Sequence, residues 1–311
     1  MNPLNIFYNP GYAAPIGDHI MPMRKFGMVA EALAWEPNVK ILNHEPVTRE
    51  DLLRVHTAEY VDAIQTGHPR ELAESQKFPW SEQLYPSVLL TNGGVLAAAR
   101  MALEQRASGA LASGFHHAGP IHGEGFCTFN GLVVALEKLR SEGAIRTAAV
   151  LDMDLHYGNG TAMLAEPRNW MFALSIYGND YWDNKPYMDF TVRQHPMGMH
   201  HASHPLPAHC HGLEMLSILH ELLPLFLSHG KPDILLYQAG ADPLKDDPYS
   251  PLELTAFDLV ERDRMVFEFT KKHDIPVAWV LAGGYTEDTS KVVEVHTNTA
   301  KVCRDIYCPV A

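Results

Sequence analysis

Apolar residues run without polar alternation through five short stretches: GALASGF (109–115), TAAVLDMD (147–154), WMFALSI (170–176), DILLYQAG (233–240) and IPVAWVLAGG (275–284). A strand with one wet face alternates apolar and polar side chains, whereas a strand covered on both faces has no reason to. The runs therefore predict a parallel sheet with helices packed on either side. Helical spacing predicts helices over 91–106, 130–142, 212–228 and 254–273, and this alternation of strand and helix gives the fold class α/β. One further helix is expected in TREDLLRVHTAEYVDAIQTG. Thr48 is its N-cap and Asp51 stands in the capping-box position, with Leu52, Val55 and Val61 on one face and Gly67 as the stop. The TNGG at 91–94 predicts a turn or a close backbone approach at a helix start. Nothing along the chain reads as a repeat, a Gly/Ser linker or a charge block, so residues 1–311 are expected to form one domain.

Composition narrows the function class. A formal charge of −13 argues against a protein that tracks phosphates, which needs clustered Lys and Arg, and it suits cationic partners instead. Cys127, Cys210, Cys303 and Cys308 form no CxxC pair and are too sparse to staple the chain, which points to a reducing cytoplasm. The N-terminus MNPLNIFYNPGY lacks a basic and then apolar leader, and no later apolar run approaches the ~20 residues of a membrane span. Histidine is abundant at 18, and the run RQHPMGMHHASHPLPAHCHG (193–212) reads as a polar loop without regular ligand spacing.

The chemistry lies at the carboxyl ends of the expected strands, where open parallel sheets gather ligands. GFHHA brings His116 and His117, DMDLHYGN brings Asp152, Asp154, His156 and Asn159, AGAD brings Asp242, and AGGY brings Tyr285. Each alone has an ordinary explanation: a surface pair, a turn cap, a packed ring. Asp152, Asp154 and His156 resist one, because side chains two apart on a strand face the same way and crowded carboxylates need a counter-charge or a metal. Asp154, His156 and Asp242 would give a metal three protein ligands and leave positions open for water and substrate. Zinc fits best, and ferrous iron also suits an Asp/His/Asp set. Such an ion polarises a carbonyl and lowers the pKa of its water towards ~7.

These segments resemble the histone deacetylase family, which includes acetylpolyamine amidohydrolases and acetoin-utilisation proteins. The resemblance rests on ASGFHHAGPIHGEGFCTFNGLVVAL, VLDMDLHYGNGT, YQAGADPLKDDP and LAGGYTEDT, with HIMPMRKFGMV and RVHTAEYV extending it towards the N-terminus. It implies a single catalytic domain of arginase/deacetylase fold, a central parallel sheet of about eight strands flanked by helices. By the same resemblance Asp154, His156 and Asp242 are zinc ligands at the base of a tunnel, and His117 is the general base. His116 assists proton transfer to the leaving amine, held by a hydrogen bond to Asp152, while Tyr285 donates to the carbonyl oxygen and the oxyanion. Gly125 and Phe126 match the family's GFC stretch, making Phe126 one tunnel wall. A potassium ion near Asp152 and Ser175 is implied as a structural ion.

Four departures from the family pattern bear on chemistry and substrate. The partner of His117 is Asn159 rather than aspartate, which makes His117 the weaker base of the two histidines. Leu206, in LPAHCH, stands where an FPGTG-like motif places a second aromatic wall. KFPWSEQLYP carries no aspartate in the matching place at the rim, and Tyr249 occupies a gatekeeper position where polyamine-selective relatives place an acid. The pattern is closest to the class IV branch and its bacterial relatives. The expected activity is removal of an acetyl or longer acyl group from the ε-amine of acyl-lysine, in a peptide or protein, with an acetylpolyamine deacetylase as the alternative. A non-catalytic acyl-lysine binder would have lost a ligand, base or oxyanion donor, and none is lost. A two-metal ureohydrolase would need further bridging carboxylates where Gly158 and Leu244 stand.

Overall fold

The computed structural model describes residues 2–17, 19–179, 195, 197–228 and 230–309. Among them runs one eight-stranded sheet, built from β1 (Leu4–Phe7), β2 (Val39–Leu42), β3 (Ala107–Ser113), β4 (Ala148–Asp152), β5 (Met171–Tyr177), β6 (His201–Pro205), β7 (Ile234–Ala239) and β8 (Val277–Leu281). Every pairing is parallel, in the order β2-β1-β3-β8-β7-β4-β5-β6. Parallel neighbours require crossovers, and helices supply most of them on the two faces. All residues of β3, β4, β5, β7 and β8 are buried, which is why their sequences need no alternation.

The edge strands are different. β6 lies inside the histidine-rich run that reads as a loop. It pairs with β5 from Ala173↔His201 to Tyr177↔Pro205, and only its central Ser203 is fully buried. Arg193, Gln194 and Pro196 of the same run lie outside the described residues. β1 and β2 are four-residue strands, too short to carry a period.

Several helix boundaries shift for identifiable reasons. The helix expected from residue 91 starts at Leu84 and runs to Gln105, so TNGG sits in its interior rather than at its start. The glycines serve close approach: a Cβ on Gly93 would lie 2.2 Å from the Glu45 carbonyl oxygen, and one on Gly94 2.1 Å from the Tyr12 hydroxyl. The helix expected over 212–228 ends at Leu222 and resumes as Leu225–Ser228, with Pro224, which has no N–H to give, between them. The Thr48 segment makes two helices, Arg49–Leu52 and Ala58–Thr66. Thr48 and Asp51 form the reciprocal capping box, Gly67 closes the second helix at φ 78°, and between the helices Thr57 N–H donates to the Pro120 carbonyl.

This topology decides where the site is. The strands that end in His116/His117, Asp154/His156, Asp242 and Tyr285 are β3, β4, β7 and β8, which are the four adjacent central strands. Their carboxyl ends therefore converge over the middle of the sheet. Among the described residues no helix is long and apolar enough to cross a membrane.

Candidate active site

Backbone N–H groups at the strand ends fix the acids. Asp154 N–H donates to Asp152 Oδ1 (3.1 Å), His156 N–H to Asp154 Oδ1 (2.9 Å) and Leu155 N–H to Asp242 Oδ1 (2.9 Å). From β8, Gly283 N–H reaches Asp154 Oδ2 at 2.7 Å. Asp154 and Asp242 are 1% and 0% exposed, so each carboxylate depends on these donors for its solvation.

One ligand atom each from Asp154, His156 and Asp242 lies within 4.8 Å of the other two. His156 Nδ1 stands 3.1 Å from Asp154 Oδ1 and 3.1 Å from Asp242 Oδ2, so its single N–H is shared between two acids. Burial alone would depress this imidazole, yet Asp154 and Asp242 push it up to about 10. Asp242 itself is raised to about 6, by burial and then by the charge of Asp154. Two carboxylates and an imidazole at this separation, all buried, form an oxygen-rich donor set that favours a divalent cation, and the residues fit one.

A positive group also stands behind the acids, one that strand-end reasoning did not find. Lys25 is fully buried and its Nζ donates to the Ala282 carbonyl at 2.6 Å. Burial pushes its pKa down to about 8 against the pull of Asp242, Asp154 and Asp247. The signal was present only as a lysine inside the apolar-spaced RKFGMV.

The two histidines have different partners. His116 Nδ1 donates to Asp152 Oδ2 at 2.7 Å, and His117 Nδ1 stands 2.6 Å from Asn159 Oδ1, with ring centroids 3.9 Å apart. Burial lowers both pKa values. For His116 the charges of Asp152 and Asp154 outweigh it and the net shift is upward. For His117 the neighbouring His116 and His156 add to burial, and the imidazole falls well below its usual range.

Tyr285 is positioned by a residue that sequence reasoning missed. Asp247 accepts from Tyr285 N–H (2.7 Å) through one oxygen and from Tyr249 N–H (3.0 Å) through the other, setting the two rings edge to face at 5.4 Å. Both rings also stand edge-on to His156, at 6.3 and 6.1 Å. Burial, followed by the acids Asp242 and Asp154, holds the Tyr285 phenol well above its ordinary pKa, so it remains a hydrogen-bond donor.

Phe126 lies 6.2 Å from Tyr285, and its other neighbours come from distant loops. Phe78 stacks on it at 5.8 Å and 18°, and His19 meets it edge-on at 4.6 Å. Phe78 belongs to the KFPW segment, noted in the sequence only for its missing aspartate. Leu206 does not take the wall position expected of it. Just past β6, its N–H donates to the carbonyl of Tyr177 at the end of β5, and the residue is 3% exposed. It packs in the hydrophobic core and lines a small cavity with Asp154, Met153, Ile176, Met215 and Leu252, beneath the candidate metal ligands. Past Tyr285, a cleft of about 650 Å³ opens among Ile16, His19, Met21, Met23 and Glu287.

Residues 19–300 match the family model for the histone deacetylase domain. The chain belongs to this family. Relatives of the family include an uncharacterized Picosynechococcus protein, 29% identical over 97% of this chain and 99% of its own length. Histone deacetylase 2 of Arabidopsis thaliana is 25% identical over 88% of this chain and 72% of its own, and acetylpolyamine amidohydrolase 1 of Pseudomonas aeruginosa 25% over 76% and 78%. Among solved structures, an Aquifex aeolicus histone deacetylase homologue aligns with a TM-score of 0.80 at 20% identity, over 97% of this chain and 84% of that one. The HD domain of HDA15 aligns with 0.79 at 18% identity, over 100% and 91%. The fold is that of the arginase/deacetylase group, and the chain is a hydrolase acting on amides, with deacetylase activity. The family is generally metal-dependent, and here Asp154, His156 and Asp242 are the residues able to hold an ion.

Proposed function

We propose that the protein is a zinc-dependent amidohydrolase that removes an acetyl or longer acyl group from the ε-amine of acyl-lysine. The observation that carries this reading is the meeting, at the carboxyl ends of the central strands, of Asp154, His156 and Asp242 with two histidines, a tyrosine and an aromatic wall. An ion held by Asp154, His156 and Asp242 supplies Lewis acidity towards the amide carbonyl and an acidified water. His117 takes the proton of the attacking water. His116, held by Asp152 and the more basic of the pair, delivers a proton to the departing amine. Tyr285, held as a neutral phenol, donates to the oxygen on which charge develops. Phe126 lies along the substrate's methylene chain as one wall and excludes water from it, and the buried Phe78 ring stacked on it backs that wall. Ferrous iron suits the same donors. The Asp152 and Ser175 backbones are register partners, where a structural potassium ion would sit. The four free cysteines, three of them buried, suit a cytoplasmic location.

A second reading, an acetylpolyamine deacetylase, is supported by the Pseudomonas aeruginosa relative and by a net charge of −13 that attracts cationic amines. One panel separates the two. Acetyl-lysine and longer-acyl-lysine peptides and acetylpolyamines are assayed with zinc, with a chelator, and with Asp154→Ala. The expected result is turnover of acyl-lysine peptides, abolished by chelation and by the substitution. Preferential turnover of polyamines transfers the assignment to the second reading, and hydrolysis untouched by both chelator and substitution overturns the metal-dependent mechanism.

A further inference from the structure

Asn159 leaves a problem that an aspartate in its place would not. A carboxylate beside His117 Nδ1 can only accept, so it dictates where the imidazole proton sits. An amide offers an oxygen on one side and an NH2 on the other, and the two orientations occupy the same volume. With the NH2 turned to His117, Nδ1 would become the acceptor and the proton would move to Nε2, leaving no lone pair there to receive a proton from water. Something has to choose between the two orientations.

Glu124 Oε2 lies 2.7 Å from Asn159 Nδ2, the length of a charge-assisted N–H···O⁻ bond. Because a carboxylate has no proton to offer, it accepts only the NH2 of Asn159, and Oδ1 is thereby turned to His117 Nδ1 at 2.6 Å. We propose that Glu124 is a positioning residue that locks the Asn159 amide and, through it, the His117 tautomer with the proton on Nδ1 and the lone pair on Nε2. The proposal rests on the reading of His117 as the base, and it deepens that reading by identifying what replaces the missing aspartate.

Glu124 is itself held firmly. It exchanges backbone hydrogen bonds with Cys127, at 3.1 and 2.8 Å, across a two-residue turn. Gly125 (φ 51°) and Phe126 (φ 64°) both take positive φ, as a type I′ turn requires. A phenylalanine there is strained by about 1–2 kcal/mol, so the turn is held from outside, and Phe126 N–H donates to the Gln76 carbonyl at 3.0 Å. The turn that presents the aromatic wall thus also aims the carboxylate at Asn159.

The test uses the full-length protein. Glu124→Leu removes the acceptor, and kcat on an acetyl-lysine peptide is expected to fall about tenfold with KM unchanged, a fraction of what a general base supplies. Asn159→Asp opposes two carboxylates and is expected to lose more. Adding Glu124→Gln to it is expected to restore activity to within about threefold of wild type, because the glutamine NH2 then donates to the new carboxylate, which in turn accepts from His117. A residue that merely held the turn would give no such rescue, and the near-isosteric glutamine keeps the fold. Nitrogen-15 NMR of the His117 ring, recorded on metal-free protein, reads the tautomer directly and should show Nε2 gaining proton in Glu124→Leu. Unchanged NMR shifts in Glu124→Leu, or a double variant no better than Asn159→Asp, overturns the proposal. Turnover retained by His117→Ala would overturn the base assignment instead, leaving the tautomer lock to be judged by NMR.

Discussion

His56 should make this protein acid-sensitive in a way that one substitution isolates. It lies between the helices Arg49–Leu52 and Ala58–Thr66, 3% exposed, with its ring packed on Phe129 (5.1 Å) and Tyr60 (5.8 Å). Nδ1 lies 2.9 Å from the Gly119 carbonyl and must donate to it, while Nε2 accepts from Asn130 N–H at 3.1 Å. Both nitrogens are thus committed in the neutral form, and they brace the two ends of the segment that carries Glu124 and Phe126. Burial, aided by Arg168 and opposed by the bond to Gly119, pushes the imidazole down to about 3. In the unfolded chain it titrates near 6.5. Above that pH both states are neutral and the contribution is fully present. As the pH falls, the unfolded chain binds a proton that the native protein refuses, and stability is lost at about 1.4 kcal/mol per pH unit until the folded pKa is reached. Between pH 6 and 4.5 this amounts to about 2 kcal/mol from this one group.

Replacing His56 by leucine removes that proton uptake but leaves the Gly119 carbonyl and Asn130 N–H unpaired, so the variant should be less stable at every pH, by about 2–5 kcal/mol. Its stability should also fall less steeply with acid. Other histidines and the carboxylates titrate in both proteins and cancel in the difference. Urea unfolding, followed by tryptophan fluorescence at half-unit steps from pH 7 to 4.5, gives both curves. If wild type and His56→Leu lose stability in parallel over that range, the neutral, doubly bonded histidine described here is refuted.

Two further substitutions probe the site. Tyr285→Phe removes one donor while keeping the ring that packs on Tyr249 and Phe126, and kcat should drop about 10²–10³-fold with little change in urea midpoint; a loss under threefold would remove Tyr285 from oxyanion stabilisation. Phe78→Ala deletes the buried ring that backs Phe126, and steady-state kinetics on acyl-lysine peptides should show KM rising about tenfold with kcat changed far less, since the wall it supports holds substrate and transition state alike. An unchanged KM would show that Phe126 holds its place without Phe78.

What was legible in the chain depended on whether a residue's neighbours in space were also its neighbours in a pattern. β3, β4, β5, β7 and β8 could be read because burial on both faces leaves an unbroken apolar run. β6 could not, because at a sheet edge only Ser203 is fully covered and its flanking histidines are free to be polar. Asp154, His156 and Asp242 stood out because carboxylates at apolar strand ends are conspicuous. Lys25, Phe78, Glu124 and Asp247 act on the same site from loops and a helix start, and each meets a partner there across tens to hundreds of residues that no local period connects. Leu206 shows the converse hazard: a place in a motif did not decide which way its side chain faced.

The seat of β8 between β3 and β7 carries a consequence for folding. Among the described strands β8 comes latest in the sequence, yet its neighbours β3 and β7 belong to the two flanks of the sheet, so its pairing is what joins them. Tyr285 follows that strand, so the hydroxyl reaches Asp154, His156 and Asp242 only once β8 is seated, and until then the facing edges of β3 and β7 would be unpaired and prone to association.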